Sequence, residues 1–500
     1  MHRTIPDIHI TSRPEASAPS DGPEDSASRN GFFTTWGRWF VLAGLAVLTV
    51  GAWFLLAGQH IPSAMSAVLA VGILVAAGVG AVWITGRGGG SRTSLVQLAS
   101  VLSPTILLMT VFPTITDTLL RTSIGQTTTM TVVLAVSVTV PWLSGGVCMP
   151  VYEPLSGVDR GPEGVRSEER ARFYGEFCSV WPSLVAWILP PLAAATLVIN
   201  LFFGWGAPET AFYALGVFTN MLFAQSLIPL QETRRFRTMI AAWSCYAGFL
   251  FIAPGLWWLA PVVGIIPTTL VLGRGLFRLL NPTVLPAGTA GKALVLGLLY
   301  ACVLWSDKFL IVGHLYPGGV NIYVVYVALV PMVVATGVYF AGQYEVLRRA
   351  LDDMQNLVDV VPARHLQESL RQVARRVENT VIVTVGVAAA VGLGMMFAFR
   401  WFGFVYSPEL LALTVSPLAM LTLMLVTFQM AQLQSRWSAA GLCAVHLVAA
   451  VLLISLAPLA PALLILAVVD VAAAMWGTRE CRRVVSDASF ELFWKQAVEW

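Results

Sequence analysis

Charge is what this sequence has least of. Asp, Glu, Lys and Arg make up 11% of its 500 residues, against roughly 25% in an ordinary soluble domain. A water-soluble fold would have no adequate polar surface. Paired cysteine motifs are missing as well: Cys148, Cys178, Cys245, Cys302, Cys443 and Cys481 form no CxxC pair and none falls in an expected external loop. Neither a disulfide framework nor a metal site is indicated. There is no GxxxxGK(S/T) phosphate loop and no polar segment large enough for a nucleotide-binding domain, which excludes a self-contained ATP-driven pump. HExxH, GxSxG with a partnered histidine and paired Asp-rich motifs are absent, and the external connections are short. No enzymatic activity, catalytic residue or cofactor is expected. A net charge of +3 gives no reason to expect nucleic acid.

What the sequence has instead is apolar length. Hydrophobic residues make up 57% of the chain. Runs near or above twenty residues recur, each able to cross a hydrocarbon core of about 30 Å at 1.5 Å per residue. Helices satisfy their own backbone hydrogen bonds in lipid, and runs such as VLAGLAVLTVGAWFLLA lack the alternation of a β-barrel strand. The expected fold is an all-α polytopic membrane protein of about fourteen transmembrane helices. The spans fall at 37–57, 63–86, 95–121, 129–151, 177–203, 208–231, 237–253, 257–280, 293–315, 321–344, 380–402, 408–432, 437–457 and 459–477. With the N-terminus inside, this alternation puts every basic residue except Arg121, Lys308 and Arg400 on the cytoplasmic side. The expected location is the cytoplasmic (inner) membrane, with both termini cytoplasmic.

Residues 1–35 are rich in Pro, Ser and acids without an apolar period and read as a disordered cytoplasmic tail; 479–500 form a cytoplasmic C-terminal tail. The polar stretch 345–379 places Leu347, Leu351, Met354 and Leu357, then Leu366, Leu370, Val373 and Val377, at helical spacing. It predicts two amphipathic helices at the cytoplasmic membrane surface, serving as a basic connector or as a contact site for partners.

Ionisable residues at bilayer depth are costly and point to function. Asp117 has Arg121 one turn later and is expected to pair with it as a structural ion pair or a substrate contact. In the ninth span, ALVLGLLYACVLWSDKFLIVGHLYPGG, Asp307 and Lys308 are adjacent, about 100° apart in direction, so each is expected to need another partner or a hydrated cavity. Tyr300, Asp307 and His314 recur every seven residues on one face, a stripe able to carry a proton, with Trp305 and Tyr316 as ring surfaces nearby. The alternative is a pair of charges that only fixes packing. Asp470 lies among Ala and Val in the last span; His446, alone in the thirteenth, reads as an ordinary hydrogen-bonded histidine; Arg400 reads as an interfacial anchor. Prolines within the spans, including Pro141, Pro190, Pro191, Pro267, Pro331 and Pro417, suit kinked helices that rock around a central site.

The WSDKF helix resembles the helix bearing a W-x-D-K type motif in the Pel-type exopolysaccharide exporters, a branch of the multidrug, oligosaccharidyl-lipid and polysaccharide flippase superfamily. FTNMLFAQSLIPLQETRRFRTMIAAWSCYAGFLFIAP, the loop beginning FAGQYEVLRRAL and the tail SDASFELFWKQ resemble further pieces of that family in the same order, from about residue 95 to the end. The resemblance implies two six-helix lobes, 91–285 and 286–478, around a central cavity, with 36–90 as an additional hairpin. A division into spans one to six and seven to twelve is the alternative. It implies export of a sugar polymer or lipid-linked sugar, with Trp305, Asp307 and Lys308 in the cavity. It also implies a driving force from a gradient of protons or Na+ or from the polymerase pushing the chain, membrane lipids around the chain, and a cytoplasmic glycosyltransferase and membrane synthase subunits as partners under cyclic di-GMP control. Lipid-linked oligosaccharide flipping, multidrug antiport and a synthase-complex scaffold are the competing functions.

Overall fold

The computed structural model describes residues 103–104, 107–108, 111–112, 114–152, 167–315, 322–344, 346–350, 363–401, 408–433 and 435–498. The expected spans at 37–57 and 63–86, and the tail at 1–35, lie outside them. Among the described residues, eight helices are long and apolar enough to cross a membrane: Thr129–Val151, Glu169–Phe203, Ala207–Glu232, Pro254–Leu280, Ala287–Val312, Leu411–Gln432, Arg436–Leu456 and Leu459–Val485. Phe236–Ile252 is a shorter apolar helix. The chain is a multi-pass, all-α membrane protein.

We number the helices from the first complete one: α1 Thr129–Tyr152, α2 Ser167–Ala186, α3 Leu189–Phe203, α4 Ala207–Glu232, α5 Phe236–Ile252, α6 Ala260–Leu272, α7 Ala287–Leu315, α8 Ile322–Val338, α9 Ala363–Trp401, α10 Pro408–Gln432, α11 Arg436–Leu456 and α12 Leu459–Val498. A two-residue hairpin, β1 Ser123–Ile124 with β2 Thr127–Thr128, precedes α1. Its tip uses Gly125 at φ 59°, and the amide of Gln126 donates to Glu209 Oε1 at 2.6 Å. The hairpin is thereby tied to the start of α4.

Two large clusters dominate the apolar core, with two smaller ones beside them. One of the large clusters gathers residues from Val111 to Ala260 and takes in Leu294 and Phe309 of α7. The other runs from Cys302 of α7 to Val485 of α12. Helix α7 belongs to both, and it packs along α1 more extensively than any other helix pair. Small residues permit the approach. A Cβ on Gly297 would lie 2.5 Å from the Gly145 carbonyl oxygen, and one on Gly145 would lie 2.4 Å from Cβ of Ala301. Without side chains between them the backbones meet directly, the usual means of close helix association in lipid. Trp142 then donates from Nε1 to the Leu298 carbonyl at 2.9 Å and sets its ring edge-on to Phe309.

Two expectations change in detail. The span expected at 177–203 starts earlier, at Ser167, and breaks at Trp187–Ile188. Pro190 and Pro191, which lack N–H groups, open the next helix. At the break Ile188 donates back to Val185, so the Leu184 carbonyl loses its helical partner. Gln225 of α4, fully buried, supplies a donor to it at 3.2 Å. In the second core, buried Gln429 of α10 donates to the Val377 carbonyl at 2.8 Å and to Thr380 at 2.9 Å.

The second change concerns 363–379. These residues do not form a separate surface helix; they continue into the following span as the 39-residue α9. At 1.5 Å per residue α9 is about 58 Å long, roughly twice a hydrocarbon core, so one end stands outside it. Leu370, Val373 and Val377 keep the expected spacing, but they are buried in the second core while Arg371, Arg375 and Arg376 face outward. Their counterpart is the far end of the 40-residue α12, which buries Cys481 and Val485 and joins α9 through a two-pronged Arg482–Glu378 ion pair. The start of α9 and the end of α12 thus lie on the same side, as four successive crossings require.

Candidate functional site

Three consecutive polar residues in the middle of α7 break its apolar run: Ser306, Asp307 and Lys308. All are buried, Asp307 at 3% and Lys308 at 4% exposure. On a helix, successive side chains point about 100° apart, so the three address different neighbours.

Asp307 and Lys308 face a small cavity between α7, α8, α10 and α12, completed by Ile311, Leu329, Leu413, Ser416, Pro417 and Leu463. Contrary to the expectation from their spacing, they pair with each other: Lys308 Nζ lies 2.9 Å from Asp307 Oδ1. The four-carbon lysine stem is long and flexible enough to curl its ammonium back onto the neighbouring residue, which a fixed one-turn rule overlooks. The contact is close, but it does not satisfy the carboxylate's hydrogen bonding: Asp307 Oδ1 accepts no aligned hydrogen bond, and the Ser416 hydroxyl across the cavity has no partner. The ammonium's further neighbour is the thioether of Met420, at 3.6 Å. The pair neutralises charge while leaving polar atoms unsatisfied, and such atoms in a water-poor interior favour a ligand or water that can bond them.

Ser306 turns the other way, toward α11. Its hydroxyl lies 3.3 Å from His446 Nε2, and His446 Nδ1 lies 2.7 Å from Asp470 Oδ1 of α12. Ser306, His446 and Asp470 are all 0% exposed. An ionised carboxylate can only accept, so the Nδ1 proton points at Asp470 and Nε2 faces the serine. Asp470 Oδ2 has no hydrogen-bond partner, and Asp470 interacts electrostatically with both Asp307 and Lys308. Two polar groupings on α7, one at the cavity and one behind it, therefore act on a common set of charges.

The remaining expected site residues are distributed differently. Tyr300 is half-buried on α7 and donates to the carbonyl of Arg436 at the start of α11. Trp305 is partly buried against the second core. His314 lies within α7, but its side chain, like Tyr316 and the side chain of Arg400, is outside the described residues. Asp117 and Arg121 do not form the expected ion pair: both are exposed, and no ion pair within 4 Å joins them. An i, i+4 spacing permits a pair but does not hold two solvated ends together. Asp470 joins the cluster through His446. Ser306 was not singled out by sequence reasoning, and His446 was read as an isolated histidine. The available signal was depth: His446 and Asp470 stand about equally far from the turn at Ala457–Pro458, so they lie at one level of a helical hairpin. No group of three or more His, Cys, Asp or Glu with metal-binding geometry occurs among the described residues.

No family model and no curated protein matches this chain. Among solved structures it is similar to a crystal structure of MATE in complex with Br-NRF, at 13% identity and a TM-score of 0.47 over 79% of this chain and 95% of that one. It is also similar to a crystal structure of MATE in the bent conformation, at 11% identity and a TM-score of 0.42 over 89% and 98%.

Proposed function

We propose that this chain moves a substrate across the membrane and that the Asp307–Lys308 pair lines its path. The observation that carries the reading is this ion pair, 4% exposed on both sides and set against a cavity with unpartnered polar atoms. A purely structural purpose does not need charge there. Buried ion pairs are often no better for stability than well-packed apolar residues of the same volume, and intramembrane charges are costly wherever they face lipid.

The substrate we favour is an exopolysaccharide, exported across the cytoplasmic membrane, on the strength of the WSDKF helix and the other pieces that resemble the Pel-type exporters. Sugar hydroxyls would bond Asp307 and Ser416, and Trp305 offers a ring surface on the same helix. Synthase subunits and a cytoplasmic glycosyltransferase would meet the protruding ends of α9 and α12.

Antiport of cationic drugs is the second reading. It is favoured by the excess of carboxylates in the cluster, Asp307 and Asp470 against Lys308. Comparison of cells lacking this gene with their parent separates the two. Loss of secreted and cell-associated polysaccharide supports export; unchanged carbohydrate with increased sensitivity to cationic drugs supports antiport. No change in either contradicts the transport reading.

A further inference from the structure

The groups that surround His446 do not balance in charge. His446 meets Ser306 of α7 at Nε2 and Asp470 of α12 at Nδ1, and the further charges acting on Asp470 are Asp307 and Lys308 of α7. Asp307 and Lys308 cancel. With an uncharged imidazole beside the Asp470 carboxylate, the cluster would hold one uncompensated negative charge among side chains that are 0% exposed. One added proton makes the whole cluster neutral. In a low-dielectric setting an unbalanced charge is strongly disfavoured, whereas a proton shared between an imidazole and a carboxylate removes it.

We propose that His446 and Asp470 together form a binding site for one exchangeable proton, with Ser306 positioning the imidazole in both protonation states. In the proton-bound form Nδ1–H donates to Asp470 and Nε2–H donates to Ser306 Oγ. When the proton leaves Nε2, the Ser306 hydroxyl rotates and donates back to it. No backbone movement is needed, because a hydroxyl serves as donor or acceptor on the same oxygen. The site binds or releases one proton as the cluster gains or loses contact with water, and histidine is the side chain whose charge changes near neutral pH. The cavity is lined by Asp307 and Lys308, the neighbours of Ser306, rather than by Ser306 itself. Proton binding stands on this geometry alone. Its use as the coupling ion rests on the transport reading above, through the electrostatic link from Asp470 to Asp307 and Lys308.

Proton uptake by the full-length protein in lipid vesicles, followed with a pH indicator between about pH 5 and about pH 8, tests the site without any substrate. The wild type is expected to take up about one proton per chain more than Asp470→Asn or His446→Gln. The double variant is expected to lose no more than either single one, because one proton belongs to the pair. Asp470→Glu, which keeps the carboxyl, is expected to retain the uptake and to show that a loss in Asp470→Asn is not misfolding. Equal uptake by wild type and by well-folded Asp470→Asn, or losses that add in the double variant, would overturn the proposal. Export measured on the same variants answers separately: uptake lost while export persists leaves the proton site standing and contradicts its coupling role.

Discussion

His446 and Asp470 meet across adjacent membrane-spanning helices, Nδ1 to Oδ1 at 2.7 Å with neither side chain exposed. Removing one member leaves the other buried without its partner, an imbalance that costs about 3–5 kcal/mol for a buried pair. His446→Leu is therefore expected to lower the thermal stability of the purified protein markedly. The double change His446→Leu with Asp470→Leu is expected to recover most of that loss, because no charge is then stranded. Thermal unfolding of the two singles and the double gives the coupling directly; strictly additive losses would contradict the pairing.

The contact between α1 and α7 depends on the absence of side chains at Gly145 and Gly297. Gly297→Leu forces a side chain into the Gly145 backbone, and overpacking of this kind costs about 1–3 kcal/mol or more. The same change at Gly248 of α5, where an added Cβ would meet no neighbouring atom within 4 Å, is expected to be almost neutral apart from helix propensity. Melting temperatures of the two variants check this: Gly297→Leu should fall by several degrees and Gly248→Leu should not.

Gln225 repairs the break between α2 and α3 by donating to Leu184 and also to Val147, while accepting from Trp181 Nε1. Replacing it by Leu preserves bulk but strands a carbonyl and an indole N–H, at about 1–3 kcal/mol per unsatisfied group. Gln225→Leu is expected to destabilise the packing of α2 and α3 against α4, whereas Gln225→Glu retains the acceptor for Trp181 but loses the donor to Leu184 and Val147. Unfolding monitored by tryptophan fluorescence distinguishes them; a fully stable Gln225→Leu would show that the break is held by other means.

The part of this structure legible in the sequence is the part that one helix determines alone. The apolar lengths give the all-α membrane class, and Asp307 and Lys308 stand out because charge within an apolar run needs no partner to be noticed. The spacing of Leu370, Val373 and Val377 likewise announces a one-sided helix. What it buries against is a matter of tertiary packing, so the same spacing served a continuous α9 rather than a helix lying on the membrane. Partners across helices are hidden for the same reason. Asp117 and Arg121 satisfy the local rule for a pair yet remain exposed, while His446 and Asp470 satisfy no local rule and are joined because α11 and α12 fold back on each other. Ser306, an ordinary residue in a helix, acquires meaning only from facing His446.

The exposed ion pair between Arg482 and Glu378 ties the protruding ends of α9 and α12, and a surface pair contributes little, about 0–1 kcal/mol. Arg482→Ala is expected to leave membrane insertion and thermal stability nearly unchanged. If these ends dock synthase subunits, co-purification of those subunits should fall when Arg482 and Arg371 are both changed to Glu. Undiminished co-purification would remove this surface from the partner reading.

The most direct test of the central claim is polysaccharide export by cells lacking the gene and complemented with Asp307→Asn combined with Lys308→Met, at membrane levels matched to wild type by immunoblot. The double change removes both charges, so neither is stranded and the fold is kept. The account predicts that this variant inserts normally and fails to restore secretion. Secretion at the wild-type rate from the same variant would show that the Asp307–Lys308 pair only holds helices together, and would contradict its place on the transport path.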